Sequence, residues 1–177
     1  MKETEIRQAI TDMADALIAL NEGTDDLILM GVHRRGVQVA TVIRERIEDE
    51  YGVRIPLGTL DITFYRDDLL TIGPKPLVGR TVLPEAGIEE KRLAIIDDVI
   101  FTGRTARAGL NELIDWGRPS RVFLLALVDR GGREIPLQPD FAGNVIEVPE
   151  GCTVDVRVPE VDGEWAIEMT SLGEKTP

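Results

Sequence analysis

Ile6, Ile10, Met13, Leu17 and Leu20 recur every three or four residues, the spacing of an amphipathic helix, and Gly23 is placed to end it. Leu27 to Val32 is a continuous apolar run and reads as a strand buried on both faces. A second helical pattern covers Val37 to Asp49, with Val39, Ala40, Ile43 and Ile47 on its apolar face. Leu57 to Phe64 alternates loosely and predicts a strand leading into Tyr65 and Arg66. Further buried strands are expected at Leu93 to Ile96 and Val122 to Val128. Between them Ala106, Leu110, Leu113 and Ile114 predict a helix closed by Gly117 and Pro119. Strands alternating with helices in this way imply a doubly wound α/β domain around a mainly parallel twisted sheet.

Two regions break the rhythm. Residues 67–90 hold Gly73, Pro74, Pro76, Gly79, Pro84 and Gly87, with Val78 to Leu83 as a short strand. Such punctuation predicts an excursion from the sheet, either a mobile loop or a hairpin. After Pro136 only short runs remain, Val145 to Val148, Val154 to Val158 and Trp165 to Met169. One domain is expected over residues 1–177, with a core to about 135 and a smaller appendage over about 136–177.

Composition narrows the setting. No apolar stretch is long enough to span a membrane, and Met-Lys-Glu-Thr-Glu lacks the basic and apolar regions of a signal peptide. A single cysteine, Cys152, leaves no intramolecular disulfide to form, as suits a reducing cytoplasm. The net charge of −12 counts against extensive nucleic-acid binding, which draws on Lys and Arg to neutralise phosphates.

The chemistry concentrates in residues 93–110. The apolar strand ends on two adjacent carboxylates, Asp97 and Asp98, and a short loop then delivers Thr102, Gly103, Arg104 and Thr105 to a helix start. Thr102 is expected as N-cap, Gly103 lets the backbone approach a ligand, and Thr105 adds a hydroxyl. The unpaired N–H groups and the helix dipole favour a phosphate. Carboxylates beside a phosphate site are suited to vicinal hydroxyls and to Mg²⁺ or its waters. A sugar phosphate satisfies both halves. Neither a Walker A loop nor Gly-x-Gly-x-x-Gly is present. At the end of the first strand, Gly31-Val32-His33-Arg34-Arg35-Gly36 puts two arginines between glycines, which suits a polyanion.

The 93–110 stretch resembles the phosphoribosyl-pyrophosphate (PRPP) motif of the type I phosphoribosyltransferases. Asp61 to Asp68, Gly117 to Ser120 and Leu127 to Pro136 narrow the resemblance to the PyrR family, pyrimidine-operon regulators that are also uracil phosphoribosyltransferases. It runs from about Ile6 to about Asp162. It implies a type I phosphoribosyltransferase fold with a small hood over the sheet's carboxyl edge. The implied reaction is uracil plus PRPP giving UMP and pyrophosphate, with Mg²⁺ carried mainly through PRPP and water-bridged to Asp97 and Asp98. Thr102, Gly103, Arg104 and Thr105 would hold the PRPP phosphate, while His33, Arg34 and Arg35 would hold pyrophosphate beside a non-proline cis peptide near Val32, His33 or Arg34. Asp97, Asp98 and Arg66 would be catalytic, with Arg66 in a loop closing over pyrophosphate. Asp129, Arg133 and the backbone around Val156 would face the base, although Asp129 and Arg133 serve equally well as an ion pair. His33, the only histidine, reads as a ring packed in or exposed beside the loop rather than as a proton carrier. Gly132 departs from the bulkier residue of relatives. A homo-oligomer is also implied.

In the family the RNA-binding role, under UMP control, rests on a basic surface contributed largely by the first helix and the segment after it. Here Asp12, Asp15 and Glu22 stand at positions that are basic in RNA-binding relatives, and only Arg7 keeps a positive charge. The sequence therefore favours the enzyme over the RNA-binding attenuator.

Overall fold

The computed structural model of the chain describes residues 1–62 and 81–171. Its elements follow in the order α1 (Glu3–Asn21), β1 (Leu27–Val32), α2 (Arg35–Tyr51), β2 (Leu57–Leu60), β3 (Arg92–Ile100), α3 (Arg104–Trp116), β4 (Arg121–Asp129), β5 (Phe141–Val145), β6 (Cys152–Arg157), α4 (Pro159–Asp162) and β7 (Ala166–Ser171). Five strands form one sheet in the order β2-β1-β3-β4-β5, and every pairing in it is parallel. β6 and β7 form a separate antiparallel pair, which is the hood.

The period-2 alternation of each strand sorts its side chains between two cores. Leu27, Leu29, Ala94, Ile96, Phe123, Leu125 and Leu127 face α1 and α2, while Ile28, Met30, Leu93, Ile95, Leu124 and Ala126 join Ala106 and Leu113 of α3. Each fully buried Ile or Leu is worth roughly 1.5–3 kcal/mol, so Ile6, Ile10, Met13 and Leu17 suffice to dock α1 despite its acidic outer face. Val154, Val156, Val158, Trp165 and Ile167 of the hood belong to the same cluster as α1 and α2. The hood is thus seated by apolar packing as well as by polar contacts.

Three expectations change at this level. Phe141–Val145 lies in the main sheet beside β4, not in the hood, so the small sheet begins only at Cys152. β3 runs on to Ile100, because Asp97, Val99 and Ile100 still pair with Ala126, Val128 and Asp129; the two aspartates therefore sit within the strand. Ile114 is 63% exposed while its neighbour Leu113 is buried, one helical step having turned it off the sheet. The first helix ends with Glu22 in the left-handed conformation, and the Gly23 N–H closes the turn onto the Ile18 carbonyl at 3.0 Å. The predicted strand at Val78 to Leu83 is described only from residue 81, where Val82 bridges Thr59.

The chain leaves β1 for β2 on one side and returns to β3 on the other, so the order reverses between β1 and β3. Ligands of open α/β sheets bind outside the carboxyl ends of strands at such a switch point. A Cβ on Gly36 would lie 2.5 Å from the Ile96 carbonyl and 3.2 Å from Asp97 Cα, and one on Gly31 would lie 2.5 Å from Val37 Cα. Only glycine lets α2 begin this close to β3. Replacing glycine by alanine in an ordinary helix gains up to about 1 kcal/mol. Gly36→Ala should instead lose about 1–3 kcal/mol through overpacking, read as a lower denaturant midpoint at unchanged slope.

Candidate functional site

A cleft of about 540 Å³ opens at the switch point, between the ends of β1 and β3 and the hood. Its walls include Asp97, Asp98, Thr102, Gly103 and Thr105 from the core, Arg35 from α2 and Val156 from β6. Seven of the expected site residues are therefore brought together. Arg66 lies outside the described residues.

The loop expected to cradle a phosphate is built by backbone. Gly103, not Thr102, is the N-cap of α3, with a φ of 89° that glycine adopts at little cost. Thr102 stands one position earlier, and its hydroxyl accepts the Arg104 N–H at 3.3 Å. The Thr102 carbonyl accepts the N–H groups of Glu134 and Ile135, each at 3.0 Å, so the segment after β4 braces the cradle from outside. Arg104 turns away to the same segment, where its Nε and Nη2 donate to Glu134 at 3.0 and 2.8 Å. An anion here would be met by the first N–H groups of a 13-residue helix and by threonine hydroxyls.

Asp97 is 6% exposed, and its Oδ1 accepts the Asp98 N–H at 3.0 Å. Asp98 is half-buried and lines the cleft beside it. The loop after β1 carries a cis peptide between His33 and Arg34, and the His33 N–H anchors it to the Leu60 carbonyl at 2.8 Å. Both His33 and Arg34 are exposed on this loop, and neither is a cleft wall.

Arg35 behaves differently. Its Nε and Nη2 donate to the two oxygens of Asp162 in the hood, each at 2.9 Å, and its Nη1 lies 3.7 Å from Asp155. The hydrogen bonds from Arg35 hold the Asp162 carboxyl below the usual carboxylate range, and Asp162 in turn raises the guanidinium. The field of Asp98 acts on Arg35 in the same direction.

Asp129 and Arg133 form the ion pair that was the alternative to base contact. Arg133 Nη2 donates to Asp129 at 2.6 Å, Nη1 to the carbonyls of Phe101 and Gly131, and Nε to that of Leu137. Their side chains are 16% and 11% exposed, and neither lines the cleft. Arg133 closes the turn that carries the chain from β4 to the brace.

Arg130 takes the place at the cleft wall. It donates to the Thr153 hydroxyl and the Cys152 carbonyl, both at 2.9 Å, and stacks over the Phe101 ring at 4.1 Å. Its Nε is buried without a partner, and burial lowers its pKa. Gly132, in a left-handed conformation, explains the room for that ring: a Cβ there would fall 2.4 Å from Phe101. Arg130 and Asp162 were not singled out from the sequence. An exposed aromatic inside an anion loop, Phe101, was a usable signal for a cation nearby; nothing local signals Asp162, 127 residues from its partner.

On α1 the charge is as acidic in space as in sequence. Arg7 is paired with Glu3 at 2.7 Å, Gln8 donates to Asp12 at 2.9 Å, and Asp15 faces Arg46 at 3.7 Å. No helix among the described residues is long and apolar enough to cross a membrane.

Comparison with known proteins agrees with this geometry. Residues 2–157 match the phosphoribosyl transferase domain. The chain is 46% identical over 162 residues to the bifunctional protein PyrR of Herpetosiphon aurantiacus, covering 92% of this chain and 90% of that one. It is 44% identical over 169 residues to PyrR of Thermus aquaticus, covering 96% and 93%. Among solved structures, the hypoxanthine phosphoribosyltransferase of Trypanosoma cruzi superposes with a TM-score of 0.67 at 20% identity, over 97% of this chain and 94% of that one. A purine phosphoribosyltransferase from Pyrococcus horikoshii gives 0.62 at 22%, over 83% and 87%. These two speak for the fold alone. Identity of this order to PyrR proteins across nine-tenths or more of both chains, on a sheet whose switch point sets a helix N-terminus beside two carboxylates, makes the chain a member of the PyrR family of phosphoribosyltransferases.

Proposed function

We propose that the protein is a uracil phosphoribosyltransferase, converting uracil and PRPP to UMP and pyrophosphate. The observation that carries this reading is one cleft holding both Asp97-Asp98 and the Thr102 to Thr105 cradle under a hood strand, in a chain 46% identical to a PyrR protein. The cradle would receive the 5′-phosphate of PRPP and leave the ribose hydroxyls beside the two aspartates. Pyrophosphate would then lie toward the 33–36 loop, with Arg34 and, from the resemblance, Arg66 supplying positive charge. The base would lie under β6, against the backbone near Val156 and beside Arg130.

Departure of pyrophosphate builds positive charge on the ribose, and Asp97 and Asp98 are placed to stabilise it electrostatically. Holding both substrates in one cleft removes the entropic cost of their encounter from the chemical step. Among the described residues no group of three or more His, Cys, Asp or Glu side chains could cage a metal ion. Two carboxylates at the cleft suit Mg²⁺ that takes most of its ligands from a substrate's phosphate oxygens and from water. Bound so, Mg²⁺ would neutralise charge on the leaving pyrophosphate.

A second reading, RNA binding under UMP control, is favoured by the name of the relatives, which calls them bifunctional. The pairing of Arg7 with Glu3 and the exposure of Asp12, Asp15 and Glu22 oppose it, because each lost phosphate contact weakens binding and each added carboxylate repels.

Uracil, hypoxanthine, guanine and orotate assayed side by side with PRPP and Mg²⁺ should release pyrophosphate with uracil alone or far above the others; no release with uracil refutes the assignment. Asp98→Asn should lower kcat by at least about 100-fold, the order expected for one electrostatic partner of the transition state, with an unchanged circular dichroism spectrum. An RNA stem-loop of the family's attenuator type should bind only weakly in a filter assay at physiological salt, with or without UMP, and nanomolar binding enhanced by UMP would restore the regulatory role.

A further inference from the structure

The Arg35–Asp162 contact joins the two ends of the cleft. Arg35 is the first residue of α2, directly after the loop expected to meet pyrophosphate, and Asp162 is the last residue of α4 in the hood. A planar guanidinium gripping both oxygens of one carboxylate is the geometrically most selective of ion pairs. The Asp162 carboxylate is also fixed from its own side, since its Oδ2 accepts the Val158 N–H at 2.9 Å. Val158 is fully buried in the hood's apolar seat. Asp155 continues the network, standing 3.7 Å from Arg35 and 3.6 Å from Arg157. Arg157 reaches Glu164 and Glu168 at 3.1 and 2.9 Å.

These contacts argue against Arg35 as a pyrophosphate ligand. The edge best shaped for a phosphate is spent on Asp162, and the other nitrogen faces Asp155. A polyanion approaching Arg35 would also meet the fields of Asp98, Asp155 and Asp162, the three carboxylates that raise the pKa of this guanidinium. We propose that Arg35 and Asp162 are a positioning pair that couples the two substrates: it locks the hood, which receives the base, to the start of α2, which holds the pyrophosphate loop. The pair holds each end in its binding geometry, so loosening the hood end gives up preorganisation of the PRPP site, and loosening the loop end gives up preorganisation of the base site. The inference rests on the proposed reaction for its assignment of the two ends.

The test is a double-mutant cycle with Asp162→Asn and Arg35→Gln, read by UMP formation with each substrate varied and by calorimetric titration of PRPP with Mg²⁺ in the absence of base. Asp162→Asn should lower kcat/KM for PRPP about tenfold and weaken PRPP binding, although it belongs to the hood. Arg35→Gln should do the same, and the double variant should be no worse than either single one. Arg35→Lys, the mildest change, should also behave like Arg35→Gln, since lysine keeps the charge and loses the fork. If Asp162→Asn leaves PRPP binding unchanged or tightens it while Arg35→Gln weakens it, Arg35 is a direct ligand parked on Asp162 and the coupling is overturned. A lower melting temperature with unchanged constants for both substrates overturns it as well, leaving a merely structural pair. Should the unaltered protein make no UMP, the reaction assignment fails, and the calorimetric arm still decides the coupling.

Discussion

The close approach of α2 to β3 at Gly36 is the constraint on which the cleft depends. With the Ile96 carbonyl only 2.5 Å from where a side chain would begin, the first turn of α2 rests on the backbone just before Asp97. That single contact fixes the 33–36 loop against the acidic end of β3. It also places Arg35 where it can reach over the cleft to the hood. Without it, the phosphate cradle of α3 would still form, because that depends on the β3–α3 turn and its brace. The cradle would lack a neighbour able to receive a second anionic group. The glycines at 31 and 36 therefore define the distance between the 33–36 loop and the acidic end of β3 more directly than any charged residue does.

For a chain of net charge −12, the proposed binding of a polyanion has to rest on local means. Here the positive end of α3 and oriented N–H groups replace side-chain cations at the cradle. Arg104, the cation that the motif puts there, is turned out to Glu134, and Arg35 is neutralised by Asp162. Among the described residues, Arg130 is the cation left against a cleft wall, held by hydroxyl and carbonyl oxygens rather than carboxylates. Fixed dipoles suit this purpose, since they lose no conformational freedom when an anion arrives and are already aimed at it. The carboxylates crowding the other side of the cleft gain their purpose from the same design. In the proposed reading they would repel phosphate from the ribose position and leave the cradle as the favourable seat.

Local pattern made the scaffold legible and non-local pairing hid much of the site. Alternation and helical spacing identified β1, α2, β3, α3 and β4, because each buries a regular face. Asp97, Asp98 and the loop 102–105 were readable because strand, loop and helix start are contiguous. What escaped depends on residues distant in sequence: β5 lies in the stretch after about 136 that reads as the appendage, and only its register with Leu125 to Asp129 puts it in the main sheet. Thr102 was given the capping role that Gly103 takes, since side-chain preference ranks threonine above glycine while the turn geometry demands a positive φ. Asp129 and Arg133 share a motif with Arg130, and nothing in that motif says which side chain the end of β4 aims at the cleft.

The two functions that PyrR proteins combine make different demands on this architecture. The cleft is lined from the ends of β1 and β3, the loop from β3 into α3, the start of α2, Arg130 just after β4, and the hood strands β6 and β7. α1 gives the core its apolar face through Ile6, Ile10, Met13 and Leu17, and none of its residues lines the cleft. Its outward residues are consequently free to change charge without disturbing either the hood's seat or the aspartates. Arg7, Asp12 and Asp15 are exposed and paired only among surface groups, contacts worth little individually. Charge on this helix can therefore change by a few substitutions at almost no cost to stability, whereas the cleft is tied to glycines, strand register and buried packing. In the proposed reading, that asymmetry lets the cleft stay intact beside an acidic first helix.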